Sequence, residues 1–556
     1  MRHGGQILID QLALNGIDKV FCVPGESYLA ALDGLYQSSS IETIICRQEG
    51  GAAMMAEAYG KMTNLPGVCF VTRGPGATNA SAGVHVAMQD STPMILFIGQ
   101  VAGSMAEREA FQEIDFRRMY GELAKWVGQI DQIERIPEYV SHAFHTAMTG
   151  RPGPVVLALP EDMLSSHADV EDARPAQPAQ AKISLDDISA LEGHLQQSEK
   201  PLMIVGGPAW SMQAQGQLMI FAERVNIPVA SAFRYQDYID NRHSNYVGDV
   251  GIGIDPKLAK RIIETDLLIA FGPRLGEMTT SGYSLIDIPS PKQKLVHIHP
   301  GAEELGRVYR PDMAINASLT SVAASLEKIT GLAPQKWAGW TAAARADYEA
   351  YCQVLETPGD VKFEQIVKHV SNSVPDDAIV TNGAGNYAGF VRRYHQYRKY
   401  RTQLAPTSGS MGYGVPAAIA GKLARPQAPV ICYTGDGDFM MTCQELATAV
   451  QYNIPIIIIL ANNGTYGTIR MHQERDYPER ISGTGLKNPD FAAMAASFGA
   501  HGETVRKTAD FEGAFTRAQN SNRPALINCL IDADAITPQT TLTKIRALAK
   551  KSLQSI

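Results

Sequence analysis

Apolar runs with almost no polar interruption recur along the chain, at 67–72, 201–206, 266–272, 430–434 and 454–461. Runs of this length are what strands buried on both faces of a parallel sheet require. Each ends in glycine or small polar residues. The longest organised stretch covers 430–470. A strand at 430–434 enters Gly435-Asp436-Gly437, a helix covers 444–452, and Pro455 stops it. The strand at 454–461 then ends in Asn462-Asn463-Gly464. This is a strand–helix–strand unit with an oxygen-rich turn at both strand ends, the edge where open α/β sheets bind ligands.

The same alternation predicts the rest of the chain. Near the N-terminus, a helix at 4–15 precedes strands at 19–23, 42–46, 67–72 and 93–99. Their ends carry Pro24-Gly25-Glu26-Ser27, Arg47-Gln48-Glu49-Gly50-Gly51 and the turn 73–79, RGPGATN. A middle region has strands at 201–206, 227–231, 266–272 and 294–299 but no GxGxxG. The last region has a strand at 378–381 entering Asn382-Gly383-Ala384-Gly385-Asn386-Tyr387, a Gly-rich segment at 407–417 (TSGSMGYGVPA), a helix at 491–498 and a final strand at 525–532. A basic amphipathic helix at 541–553 closes it as a packing or lid element. The Pro/Ala/Gln-rich stretch 166–184 reads as a linker. The organisation is therefore 1–165, a linker 166–184, 185–335, a helix-and-linker stretch 336–360, and 361–556. Each domain is α/β with a doubly wound parallel sheet.

Composition narrows the function classes. At 556 residues the chain exceeds one core. Net charge is −8 with no long basic run, which argues against nucleic acid or an anionic membrane as the main partner. An anionic ligand must then be held by metal and backbone dipoles. The seven cysteines are scattered without CxxC, as for buried thiols in a reducing, cytoplasmic compartment. The first 16 residues lack a signal-peptide core, and no apolar run nears membrane-spanning length.

Candidate chemistry sits at the strand ends. Asp436 and Asn463 offer hard oxygens suited to Mg²⁺ or Ca²⁺; the bland reading is an Asx turn at each end. Glu49 follows an apolar strand directly and opens a helix of small residues. By position it is either a carboxyl shielded for proton transfer or an ordinary first-turn glutamate. His297 and His299 alternate on a strand and read as strand residues rather than a metal pair. The basic-aromatic run 392–401 (RRYHQYRKYR) reads as a solvated helix or subunit contact. Residues 107–115 read as a polar surface loop.

The GDG…NN spacing resembles the metal-diphosphate motif of thiamine diphosphate (ThDP) enzymes. That resemblance implies Mg²⁺ ligation by Asp436, Asn463 and the carbonyl of Thr465. It places Gly435, Gly437, Asp438, Tyr466, Gly467, Thr468 and Asn386 around the diphosphate. RQEGGAAMMAEAYGK is similar to the family segment whose glutamate protonates N1′ of the aminopyrimidine, which makes Glu49 the general acid/base. The loop RGPGATN brings Thr72, Pro75, Gly76 and Asn79 to the pyrimidine, with Pro24 and Gly25 alongside. SGSMGYG resembles the segment whose bulky apolar residue, here Met411 beside Ser410, supports the bent cofactor.

AFQE resembles the substrate-side loop of the acetolactate synthase branch, so Phe111 and Gln112 would face the substrate. The branch implies a ThDP- and Mg²⁺-dependent 2-oxoacid decarboxylase/carboligase acting on pyruvate, as a homodimer or homotetramer. Flavin-linked oxidation and acyl transfer to phosphate stay open beside it. A non-enzymatic nucleotide- or metal-binding α/β protein is the reading from another class. Flavin-containing relatives hold FAD in the central domain, with loops at 248–253 and 272–275 here, which makes FAD a candidate cofactor. Three departures stand out. His472 occupies the position where biosynthetic members carry a substrate-selecting Trp, and Pro24-Gly25-Glu26 replaces their PGG. His299-Pro300 also lacks the acid that the flavin relatives place there.

Overall fold

A computed structural model describes residues 1–333 and 336–554; the expected limits at 335 and 556 lie outside the described residues. Three six-stranded sheets, all of parallel pairs, carry the fold. The first contains β1 (Lys19–Cys22), β2 (Glu42–Ile45), β3 (Gly67–Val71), β4 (Met94–Gln100), β5 (Trp126–Gln129) and β6 (Pro154–Pro160) in the order 2-1-3-4-6-5. The second contains β7 (Pro201–Val205), β8 (Val229–Ser231), β9 (Tyr246–Asp249), β10 (Leu267–Phe271), β11 (Lys294–His299) and β12 (Met313–Asn316), in the order 9-8-7-10-11-12. The third contains β13 (Ile379–Asn382), β14 (Gln403–Leu404), β15 (Val430–Gly435), β16 (Ile457–Asn462), β17 (His501–Val505) and β18 (Ala525–Leu530), in the order 14-13-15-16-18-17.

The first and third sheets thus share one strand order. In each, the chain order reverses between its first and third strands, and the crevice at such a reversal is where doubly wound sheets bind ligands. Interior strands are apolar on both faces: every residue of β3, β4, β6, β7 and β10 is buried.

The chain forms two compact units. One comprises Met1–Ala179, Pro406–Gln427 and Met440–Ile456, so it holds the first sheet together with two late helices, Gly414–Ala424 and Glu445–Gln451. The other comprises Gln180–Ala405, Ala428–Phe439 and Ile457–Ile556, with the second and third sheets.

Three expectations change. The run 392–401 is not a solvated helix: helix Tyr387–Tyr394 ends inside it, and Tyr394, Tyr397 and Tyr400 are buried. Its arginines pair with carboxylates from elsewhere in the chain, Arg392 with Asp249 and Arg398 with Asp376. The stretch 336–360 holds the expected helix, but that helix is packed into its unit rather than part of a linker. Trp337 is buried, and Arg345, in helix Ala338–Tyr351, donates to the carbonyls of Asn241, His243 and Tyr246. The Gly435-Asp436-Gly437 turn continues directly into a short helix, Asp436–Phe439. Among the described residues, no helix is long and apolar enough to cross a membrane.

Candidate active site

At the reversal of the third sheet, β15 runs straight into Asp436, whose side chain is pulled out of water at 2% exposure. Its carboxylate accepts from the amides of Gly437 at 2.9 Å and Gly464 at 2.8 Å, and from Asn488 Nδ2 at 2.7 Å. Burial raises its pKa despite these donors. The Gly464 bond matters most, because Gly464 lies between Asn463 and Thr465. It draws the turn after β16 onto the turn after β15. Asn463 Oδ1 accepts from the Thr465 amide at 3.1 Å, an Asx turn that fixes the carboxamide.

Asp438 faces the neighbouring strand end. It accepts from Tyr387 Oη and Thr434 Oγ1, each at 2.7 Å. A Cβ on Gly383 would lie 2.3 Å from its Oδ1, and one on Gly437 would lie 2.5 Å from the Tyr466 ring. Side chains at these positions would therefore disturb the turn. Thr468 Oγ1 donates to Asn386 Oδ1 at 3.0 Å, tying the start of helix Gly467–Asp476 to the start of helix Tyr387–Tyr394. His472 is half-buried on that helix. Asp436, Asn463 and the Thr465 carbonyl are hard oxygen donors, and no His or Cys competes among them. The donor set fits Mg²⁺ with water and phosphate completing its shell. The helix N-terminus offers amides to an anion.

At the reversal of the first sheet, Glu49 begins helix Glu49–Thr63, capped by the Gln48 side chain on the Gly51 amide. Glu49 is half-buried, and its Oε2 accepts from Asn79 Nδ2 at 2.9 Å. A Cβ on Gly76 would sit 3.4 Å from its Oε1. Thr72 shares a hydrogen bond with Ser27 at 2.9 Å, and a Cβ on Gly25 would strike Thr72 at 2.5 Å. Pro24 and Pro75 are exposed at the rim. The 107–115 loop is irregular, with positive φ at Glu107, Glu109 and Gln112, conformations that cluster at functional sites. The Gln112 carbonyl accepts from the Gly74 amide at 3.0 Å, and Phe111 stands 72% exposed.

Met411 and Ser410 lie in this same unit, in the segment before helix Gly414–Ala424. The adjoining Gly412 carbonyl accepts from Thr442 Oγ1 at 2.7 Å, and Tyr413 Oη donates to the buried Glu57 at 2.5 Å. The structure thus gathers Glu49, Asn79, Gly76, Thr72, Gly25 and Gln112 in one unit, and Asp436, Asp438, Asn463, Thr465, Tyr466, Thr468 and Asn386 in the other.

Two further residues escaped sequence reasoning. Asn488 clamps Asp436 and also donates to Asn462 Oδ1 at 2.9 Å. Glu445 is fully buried and accepts from the Arg47 amide at 3.1 Å, the Gln48 amide at 3.0 Å and Thr448 Oγ1 at 2.7 Å. It therefore braces the turn that presents Glu49. Neither has a local signal, since each acts on residues far away in the chain.

The central sheet has its own reversal between β7 and β10, where Gly207 and Gly272 pack so closely that a Cβ on Gly207 would lie 1.8 Å from the Gly272 carbonyl. His297 bonds the Pro273 carbonyl, and the buried His299 ring bonds Gly301. Glu304 is committed to Arg274 and Arg307. No group of three or more metal-ligating side chains occurs among the described residues.

The first and third sheets thus each carry an acidic turn at their reversal, the arrangement of a ligand-binding α/β protein. Comparison with known families agrees. Residues 2–119 match the thiamine pyrophosphate enzyme N-terminal TPP binding domain, 188–326 the central domain and 383–529 the C-terminal TPP binding domain. The chain belongs to the thiamine pyrophosphate enzyme family, in its acetolactate synthase branch. It is 31% identical to the acetolactate synthase large subunit of Corynebacterium glutamicum over 550 residues, covering 96% of this chain and 87% of that one. It is 29% identical to the isozyme 2 large subunit of Escherichia coli over 533 residues, covering 95% and 96%. A probable acetolactate synthase large subunit of Methanocaldococcus jannaschii is 31% identical over 556 residues, covering 96% and 93%.

Proposed function

We propose that the chain is a ThDP- and Mg²⁺-dependent 2-oxoacid decarboxylase/carboligase of the acetolactate synthase type, with pyruvate as donor. The observation that carries this reading is the 2.8 Å bond from the Gly464 amide to Asp436. It brings the two halves of the oxygen donor set, 27 positions apart between Asp436 and Asn463, to one crevice. Asp436, Asn463 and the Thr465 carbonyl would hold Mg²⁺. Gly437, Gly467 and Thr468 would receive the diphosphate, with Asp438, Tyr466 and Asn386 shaping the cradle. Bound ThDP supplies the nucleophilic carbon and the electron sink for decarboxylation.

The chain's own residues do the rest. Glu49 holds the proton at N1′ of the pyrimidine, and Asn79 fixes its carboxylate for that exchange. Thr72, Gly76 and Gly25 leave the pyrimidine room, and Met411 supports the cofactor's bend. Phe111, Gln112 and His472 border the substrate. FAD stays a candidate with less behind it, because His299-Pro300 supplies no acid at the strand end. A homodimer or homotetramer is expected from the family resemblance alone, and seven free cysteines suit a reducing cytoplasm.

The test is CO₂ release from pyruvate with and without ThDP and Mg²⁺, with the carbon product identified. Glu49→Gln is expected to lose about 10²–10⁴-fold in rate while still binding the cofactor. Full activity in that variant refutes the assignment.

A further inference from the structure

Glu26 and Arg73 follow β1 and β3, the two strands that flank the reversal of the first sheet. Glu26 directly follows Gly25, and Arg73 directly follows Thr72, so both stand at the crevice that presents Glu49. Arg73 is 7% exposed. A cation so buried calls for close partners, yet its contacts are long. Nη1 donates to the Phe111 carbonyl at 3.4 Å, and Nη2 lies 3.5 Å from Glu26 Oε1 and 3.6 Å from Glu161 Oε2. Its Nε is buried without a hydrogen-bond partner. The guanidinium therefore links the Glu26 carboxylate to the backbone of the Phe111–Gln112 loop without being saturated by either.

The Glu26 side chain, by contrast, is 65% exposed. An ionised carboxylate accepts about four hydrogen bonds, and Arg73 supplies one long one. The cluster also has two carboxylates against one guanidinium, a net negative charge beside the expected substrate loop. That field disfavours a second carboxylate and favours a neutral molecule with hydroxyl donors.

We infer that Glu26, steadied by Arg73, selects the second substrate, and that this acceptor is a neutral hydroxylated aldehyde rather than an all-carbon 2-oxoacid. The inference rests on the carboligase reading above. The acyl unit left when the donor 2-oxoacid loses CO₂ forms a carbon–carbon bond to the aldehyde carbon. The aldehyde oxygen takes up one proton, giving an α-hydroxyketone without any oxidant or reductant. Glu26 accepts from the aldehyde's hydroxyl and so acts in positioning and specificity.

The test is a competition. The full chain with ThDP and Mg²⁺ is given pyruvate as donor with equimolar glycolaldehyde and 2-oxobutyrate as acceptors, and the two products are quantified by mass spectrometry. The wild type is expected to favour the glycolaldehyde product by about tenfold or more, since a site built to bond a hydroxyl rejects acceptors lacking it. Glu26→Gly should bring the ratio towards or below one. Arg73→Lys should shift it the same way and raise KM for glycolaldehyde more than it lowers kcat. A ratio unchanged by Glu26→Gly, or a wild-type preference for 2-oxobutyrate, overturns the inference. CO₂ release measured in the same reactions separates this failure from that of the carboligase reading, which fails only if cofactor-dependent release is absent.

Discussion

Glu445 offers the sharpest quantitative test of how the first unit presents Glu49. Burial pushes its carboxyl from an ordinary 4.5 up to about 7, against the hydrogen bonds from Thr448, Arg47 and Gln48 that favour the charged form. At 1.36 kcal/mol per tenfold in acidity, that rise corresponds to about 3 kcal/mol. The native state binds the proton more tightly than the unfolded chain. Its contribution to stability is therefore complete below pH 4.5 and lost as pH rises through about 7. Glu445→Gln keeps an oxygen for the two amides and removes the charge. It should match the wild type near pH 4.5 and exceed it by up to about 3 kcal/mol at pH 8. For a unit of 150–250 residues about 1 kcal/mol moves the midpoint by roughly 2–4 °C, so the gain at pH 8 is up to roughly 6–12 °C. Glu445→Ala instead strands both amides, at about 1–3 kcal/mol each, and should melt lower at both pH values. Thermal melts of the three proteins at pH 4.5 and 8 decide the matter. Equal melting of the wild type and Glu445→Gln at pH 8 refutes the reasoning.

Two further outcomes are expected from the second unit. Glu474 is fully buried between Arg546 and Arg470, and the bond from Arg546 leads in holding its carboxyl down at about 2. Its contribution is present above 4.5 and lost as pH falls towards 2. Glu474→Gln, which uncouples helix Leu542–Gln554 from helix Gly467–Asp476 at a loss of about 3–5 kcal/mol, should raise hydrogen exchange in the C-terminal helix; unchanged exchange would count against the ion-pair anchor. Gly437→Ala places a methyl 2.5 Å from the Tyr466 ring. A strain of about 1–3 kcal/mol there should weaken ThDP affinity by roughly 5–150-fold in calorimetric titration, and unaltered affinity would remove Gly437 from the diphosphate cradle.

What the sequence reveals of the fold tracks burial. Strands such as β10, β15 and β16 announce themselves because both their faces are packed, leaving a run with little polar interruption. Most edge strands do not. β12 reads MAIN with alternating exposure and β17 reads HGETV with four half-buried positions, patterns that a loop also satisfies. β6 is an interior exception, bounded by prolines at 154 and 160 that read as turn residues. The same logic divides the site. Asp436, Asn463 and Glu49 stand in local motifs whose spacing carries meaning. Asn488 and Glu445 act 52 and 398 positions from the groups they hold, and nothing beside them in the chain signals it. The arginines of 392–401 misled for the same reason, because their carboxylate partners lie far off in sequence.

The make-up of the first unit bears on how the protein is born. Glu57 and Asp90 are sealed into its interior by Tyr413 and Thr407, and the amides of Arg47 and Gln48 by Glu445. None of these partners exists when residue 179 leaves the ribosome. At roughly 5–20 residues per second the nascent sheet waits on the order of tens of seconds for residue 456 to arrive. Throughout that interval helix Glu49–Thr63 keeps an apolar, carboxylate-bearing face uncovered, a natural holding point for a chaperone. A fragment ending at the first linker would carry that wound permanently and is expected to aggregate when expressed alone.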